Sequence, residues 1–434
     1  MKQRNRWKRL TALTLALFLL CGCSQELGRK PADSQLGNQT ETSAPPAKPP
    51  KPLKTDDPPM PTVWVANCQE YISLRRQPNK YAGVILTIPK DGEMELLEWV
   101  ERYAYVSYKG TKGYVLANYI KPAEEFWYYP EEENIVQPVH LYSYEQMLSD
   151  MSALHRKYSD ITEMGTIGAS ELGRQIPVLR IGSRDAEYHV LLHGAIHGRE
   201  HTTCWLLMEM VEYWLQNNIL EYGDVCYHII PMVNPDGVVL SQRGSLDSNQ
   251  YEIYLDDRSV GYAGWDVASY AAMWKANGLG VDLNRNFPSG WETVSKRRNP
   301  SSERYAGTEP FSAVEARALR DYTLAYPFDA TLSYHASGSV LYYDYGTRQP
   351  VNDQSKSLAQ AVYAVSGYIL VPSGGQLDGA GYKDWAMDAL GIPSITVEIG
   401  SQETVLAERE LHSLFARNYL VLPQVARWLQ QQDP

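Results

Sequence analysis

The chain has 434 residues, 44% of them hydrophobic and 21% charged, with 40 Lys and Arg against 51 Asp and Glu. That apolar fraction argues against a mainly disordered chain, and the length allows two or three domains. The acidic balance argues against a nucleic-acid binder, because a duplex selects for clustered cations. Five Cys are too few for a disulfide scaffold.

Lys2, Arg4, Arg6, Lys8 and Arg9 precede an apolar run from Leu10 to Leu20. The run is shorter than the ~20 residues that cross a bilayer and has the layout of a secretory signal. Leu20-Cys21-Gly22-Cys23 then resembles a bacterial lipobox, with a small residue before the Cys that is lipidated. The resemblance implies a lipoprotein signal over 1–23, lipidation at Cys23, and an exported protein anchored by lipid alone to the outer face of a bacterial membrane. An uncleaved short anchor is the alternative. Residues 24–60 shift to Pro, Lys, Ser, Thr and Gln, including Pro45-Pro46-Ala47-Lys48-Pro49-Pro50-Lys51-Pro52, and read as a semi-rigid linker.

Over 61–122 the pattern is short β-rich runs broken by turn signals: 63–65, 72–75, 83–88, 94–97, 104–108 and 113–116. Such spacing predicts a small β-barrel. Ser73-Leu74-Arg75, Tyr105-Val106-Ser107-Tyr108, Gly113-Tyr114-Val115 and the closing Asn118-Tyr119-Ile120 resemble the bacterial Src-homology-3-like domain. That resemblance implies a module that engages cell wall; a barrel that only props up the next domain is the alternative.

After a second linker at 123–136, residues 137–434 alternate strands and helices. Buried-strand runs lie at 188–192, 227–233, 328–334 and 392–399, with an apolar helix through 203–208. The pattern predicts an α/β fold with a mixed, largely parallel sheet flanked by helices. Chemistry enters at the strand ends. His197-Gly198-Arg199-Glu200 places an imidazole and a carboxylate at i, i+3, able to share a metal. Alone it is weak: nine His among 51 acidic residues yield about one such pair per chain by chance. Placement strengthens it, since His335 and Glu398 also fall at the ends of apolar strands, where open α/β sheets gather ligands. Two His and one carboxylate leave a zinc position open, and a further Glu can serve as base.

Several ordered motifs then resemble the zinc carboxypeptidase A family of metallopeptidases from about His140 onward. They are Ile167-Gly168 with Gly173-Arg174; 196–200; Asn234-Pro235-Asp236-Gly237; Gly280 through Phe287; Gly307 through Ser312; Ser333-Tyr334-His335; and Asp384-Trp385 followed by Glu398. The resemblance implies one zinc ion on His197, Glu200 and His335, a substrate carboxylate held by Asn284 and Arg285, and Glu398 as general base. It implies Asp282 as the carboxylate that orients the first zinc His, and Arg199 as a second cation on the leaving side.

Two positions depart from the family pattern. The oxyanion-stabilising Arg has no counterpart; Lys275 after Trp274 is the candidate, with Arg243 the alternative. The family's mobile Tyr finds only Gln376 or Tyr382 nearby. The residue before Asp384-Trp385 lines the family's side-chain pocket; here it is Lys383, a cation that favours an anionic leaving group. An acidic C-terminal residue fits, and so does diaminopimelate. The Thr396-Val397-Glu398-Ile399-Gly400 ending resembles the bacterial γ-D-glutamyl-diaminopimelate peptidases. The expected function is thus a cell-surface zinc peptidase cutting peptidoglycan stem peptides. The alternatives are a carboxypeptidase on ordinary peptides and, from another class, a non-catalytic wall-binding protein. Cys204 and Cys226 are left as two buried thiols or a disulfide. Charge is regional: 24–60 carries five residues of each sign, 61–122 eight basic and six acidic, and 123–434 only 22 basic against 40 acidic.

Overall fold

The computed structural model describes residues 62–100, 102–123, 134–264, 266–372, 379–400, 406–407 and 410–432. The expected signal, Cys23, the linker at 24–60 and Gln376 lie outside them. Among the described residues no helix is long and apolar enough to cross a membrane.

The N-terminal strands are β1 (Val63–Ala66), β2 (Tyr71–Arg75), β3 (Val84–Pro89), β4 (Glu93–Val100), β5 (Tyr103–Tyr108), β6 (Thr111–Leu116) and β7 (Ile120–Pro122). They form one antiparallel sheet in the order β3-β2-β6-β5-β4-β1-β7. Strand alternation sends Ala104, Val106 and Tyr108 of β5 inward, to pack with Trp64, Leu74, Ile88 and Val115. Register shifts at Leu74/Arg75 and Leu96/Glu98 bend the sheet.

The second part runs α1 (Tyr144–Lys157), β8 (Thr162–Ala169), β9 (Gln175–Ile181), β10 (Tyr188–His193), α2 (Thr202–Gln216), β11 (Val225–Ile230), α3 (Pro235–Arg243), α4 (Ser248–Ser259), α5 (Val267–Ala272) and α6 (Val314–Ala325). It continues through β12 (Ala330–Ala336), β13 (Val340–Tyr342), α7 (Val351–Ser366), β14 (Ile369–Val371), α8 (Tyr382–Leu390), β15 (Ser394–Ile399), α9 (Leu411–Asn418) and α10 (Val421–Gln431). The eight strands follow the order β14-β13-β15-β12-β10-β11-β9-β8. β11, β10, β12 and β15 are parallel neighbours; β8 and β9 add an antiparallel edge, and β13 is antiparallel to β15. Every residue of β10 and β11 is buried, as expected where helices cover both faces of a parallel sheet. All of α2 except Gln216 is buried too, which explains why its sequence is apolar nearly all round.

The two parts belong to one compact unit. Arg417 of α9 is buried at their junction: its guanidinium lies 5.4 Å from the Trp64 ring and 4.7 Å from the Trp99 ring. It donates to the carbonyls of Ala117 at 2.9 Å and Ser366 at 3.1 Å. Gly367 (φ +66°) lets the Trp99 ring approach to where a Cβ would stand, 2.5 Å away. Cys204 and Cys226 are both buried and free, so the thiol alternative holds and the disulfide does not.

Candidate active site

Because β10, β12 and β15 are parallel, their C-terminal ends open on the same side of the sheet. His197 follows β10, Glu200 lies in the turn before α2, and His335 and Glu398 are the penultimate residues of β12 and β15, paired directly across the two strands. Glu200 Oε1 lies 2.8 Å from His197 Nδ1, and its Oε2 lies 3.0 Å from His335 Nδ1. The Ala336 amide donates to Oε2 at 3.2 Å. One ligand atom from each of His197, Glu200 and His335 falls within 4.8 Å of the others, and all three residues are buried. Two imidazole nitrogens with a carboxylate oxygen are a zinc donor set that leaves a coordination position open. Asp282 Oδ1, 3.1 Å from His197 Nε2, holds that ring with Nδ1 turned to Glu200, the side on which it would bind zinc, and its Oδ2 accepts the Arg304 amide at 2.9 Å.

Burial works against every charge here, and neighbouring charges decide which survive. It opposes protonation of His197, but Glu200 carries that ring up to about 9. Burial would raise Glu200, yet His197 and His335 hold it well below the usual carboxylate range. For Asp282, His197 and Arg285 likewise outweigh burial and keep it low. Glu398 differs: burial pushes it up to about 7, with His335 and Lys275 drawing it down and Glu200 pushing it further up. A carboxyl poised near neutrality suits a group that must both accept and return a proton.

A cavity of about 320 Å³ opens beside His197, lined in part by Lys275, Asn284, Arg285, Glu303 and Arg304. Lys275 Nζ stands 3.8 Å from Glu200 Oε1. Arg243 instead pairs with Asp247 at 3.0 Å, at the far end of α3. Asn284 accepts the Tyr382 amide at 3.0 Å and places its Nδ2 3.4 Å from His335 Nε2. Arg285 Nε is 3.5 Å from Asp282 Oδ2. Arg199 is partly buried; its amide donates to the Trp274 carbonyl at 2.9 Å and its guanidinium to the Met273 carbonyl at 3.5 Å. Tyr382 is fully buried, its hydroxyl 3.1 Å from Thr323 Oγ1, and is therefore no mobile residue.

Lys383 is a correction. Its ammonium donates to the Asp344 carbonyl at 2.7 Å and pairs with Asp384 at 2.6 Å. Asp384, not Lys383, lines the cavity, so Lys383 presents no free cation at its base. Sequence reasoning also missed Arg304 and Glu303. Arg304 reaches Asp282 through its backbone, at φ +66°, and no side-chain pattern records that. The Asn234-Pro235-Asp236-Gly237 motif proves to be scaffolding. Asn234 Nδ2 lies within hydrogen-bonding distance of the carbonyls of Ile196 (3.2 Å), Lys275 (3.2 Å) and Ala276 (3.0 Å), tying the His197 and Lys275 segments together. Asp236 pairs with Arg174 at 2.7 Å, which accounts for Gly173-Arg174.

A parallel sheet with this donor set at its carboxyl end defines a zinc metallopeptidase. The family model described as zinc carboxypeptidase matches residues 147–420, and the chain belongs to that family. It is 30% identical over 291 residues to gamma-D-glutamyl-L-diamino acid endopeptidase 1 of Lysinibacillus sphaericus, covering 63% of this chain and 69% of that one. It is 26% identical over 295 residues to carboxypeptidase B of Astacus astacus, covering 62% and 90%. Among solved structures it resembles thrombin activatable fibrinolysis inhibitor, with a TM-score of 0.55 at 20% identity over 70% of this chain and 79% of that one, a likeness of fold. With His197, Glu200 and His335 assembled in a zinc metallopeptidase of this family, the non-catalytic reading falls away.

Proposed function

We propose that this zinc peptidase hydrolyses peptidoglycan stem peptides at the γ-D-glutamyl–diaminopimelate bond. The observation that carries the reading is the cross-strand pairing of zinc ligand His335 with Glu398, beside a cavity lined by Asn284 and Arg285. The similarity to an enzyme named for a γ-D-glutamyl-L-diamino acid bond supports the choice of substrate.

Zinc, when bound, supplies Lewis acidity, which polarises a carbonyl and acidifies water. Arg285 offers two parallel N–H donors to a carboxylate on the leaving residue, with Asn284 beside it. Glu398 takes the proton of the attacking water and returns it to the departing amine. Lys275 stabilises negative charge developing on the carbonyl oxygen. Asp282 keeps His197 in its ligating tautomer throughout. In this reading the chain is exported, anchored through lipid on Cys23, and brought to the wall by its N-terminal sheet domain, a Src-homology-3-like module.

A carboxypeptidase acting on ordinary peptides is the second reading, favoured by the similarity to carboxypeptidase B. Purified, zinc-loaded protein incubated with defined tripeptide and tetrapeptide stems, followed by mass spectrometry, separates the two. Release of L-Ala-γ-D-Glu is expected; intact stems alongside C-terminal trimming of L-peptides establish the second reading instead.

A further inference from the structure

A larger cavity, about 870 Å³, lies where the N-terminal sheet domain meets the peptidase domain. Cys68, Tyr71 and Tyr119 line it from the first, and Ser339 and Gly400 from the second. Gly400 is two residues past Glu398, and Ser339 is four past His335. Ser339 precedes β13 and Gly400 follows β15, whereas the carboxylate-binding cavity draws on His197 after β10, on Asn284 and Arg285, and on Gly381 and Asp384 at the start of α8. His335 and Glu398, on the paired strands β12 and β15, are thus close in sequence to the walls of the junction cavity, and Asn284 of the other cavity lies 3.4 Å from His335 Nε2.

That arrangement constrains the direction of the substrate. In amide hydrolysis the leaving amine carries the group gripped by Arg285, so the acyl part must extend from the scissile carbonyl the other way. Resting on the peptidoglycan reading, we propose that the junction cavity is the subsite for the acyl side of the substrate and takes the N-acetylated amino sugar to which the stem peptide is attached.

The chemistry of the lining suits an uncharged sugar. Tyr71 and Tyr119 are 57% and 49% exposed, offering aromatic faces with polar tips. Asn67, Gln69 and Ser413 supply neutral hydrogen-bonding groups, and the charged residues balance, Lys121 and Arg417 against Glu70 and Glu410. The volume is in the range, roughly 300–1,000 Å³, of sites that bury a small ligand. The cavity is also preformed: Arg417, clamped on Trp64 and Trp99, fixes one domain against the other. The sheet domain thus completes a substrate groove and does more than tether the enzyme to the wall.

The test compares the L-Ala-γ-D-Glu-diaminopimelate tripeptide with and without an N-acetylmuramoyl group, using the full chain loaded with zinc. The expected kcat/KM ratio favours the sugar-bearing substrate at least tenfold and falls toward one in the Tyr71→Ala/Tyr119→Ala double variant. Cys68 provides a readout without turnover, because among the described cysteines it alone is partly exposed. In the Glu398→Gln chain, the sugar-bearing ligand should slow alkylation of Cys68, followed by peptide mapping, more than the bare tripeptide does. A wild-type ratio near one, a ratio unmoved by the double variant, or equal protection by both ligands overturns the proposal. If neither peptide is cut, the peptidoglycan reading fails on its own, and the protection experiment still decides the subsite.

Discussion

Replacing Glu398 with Gln removes the base and keeps the shape. The amide preserves the volume of the side chain within β15, and His197, Glu200 and His335 remain to hold zinc. Loss of a positioned general base lowers the rate by about 10²–10⁴-fold, roughly 3–5 kcal/mol of barrier. Glu398 is the candidate because burial raises it to about 7. Asp282 and Glu200 are both held low as acceptors. The pH dependence carries the same signature. Only ionised Glu398 can accept a proton, so kcat/KM falls as pH drops below its pKa, and a bound dication lowers that pKa from about 7. The wild type should therefore show an acidic limb below pH 7, absent from the residual activity of the variant. Steady-state hydrolysis from pH 4 to 9, with zinc content by elemental analysis, reads both effects. Activity above a tenth of wild type with one zinc per chain would refute Glu398 as base, and loss of the zinc would show that it serves the metal site instead.

Asp282→Asn should weaken zinc binding 10–100-fold, measured by chelator competition, because a neutral amide replaces the charged acceptor on His197 and can no longer accept from the Arg304 amide at the same time. Arg285→Lys replaces a planar fork with a point charge; kcat/KM should fall roughly thirty-fold, about 2 kcal/mol, chiefly through KM, and an unchanged KM would remove Arg285 from carboxylate binding. Glu209, buried in α2, is raised to about 8 by burial, with Glu212 and Asp150 adding to it. It holds its proton more tightly folded than unfolded, so its stabilisation is complete below about pH 4.5 and is lost as pH rises to about 8. Glu209→Gln should flatten that decline, worth about 3 kcal/mol between pH 5 and 8 in urea unfolding, whereas parallel pH curves for the two chains would refute the assignment.

The zinc set was legible in the sequence for a physical reason. Zinc ligand His335 and, beside it, Glu398 each stand near the end of a largely buried strand whose only polar residues before them are Ser and Thr, and parallel strands covered on both faces announce themselves by such runs. The strand pattern at 61–122 was equally readable, because one face of each strand packs inward and alternation survives in the sequence. Lys383 was misread because residue type was taken for direction. Its partners are Asp384, one residue away, and the carbonyl of Asp344, which only the folded loop brings near. The junction between domains was invisible for the same reason at greater range: Arg417 meets Ala117 across 300 residues, and nothing in a lone Arg announces two Trp rings.

The acidity of the peptidase region acquires a meaning at this scale. With 22 basic and 40 acidic residues over 123–434, the region as a whole repels an anionic peptide. Three of the acids at the site are nevertheless engaged, Glu200 between two imidazoles, Asp282 between His197 and Arg285, and Asp384 by Lys383, while Glu303 also lines the cavity. Each of the three serves to aim a cation or a ligand, and its charge is balanced locally. Lys275 and Arg285 also line that cavity, and in the proposed reaction they are the cations that an approaching carboxylate meets. Lys383 takes part in the same balance from behind, its ammonium 2.6 Å from the Asp384 carboxylate that lines the cavity.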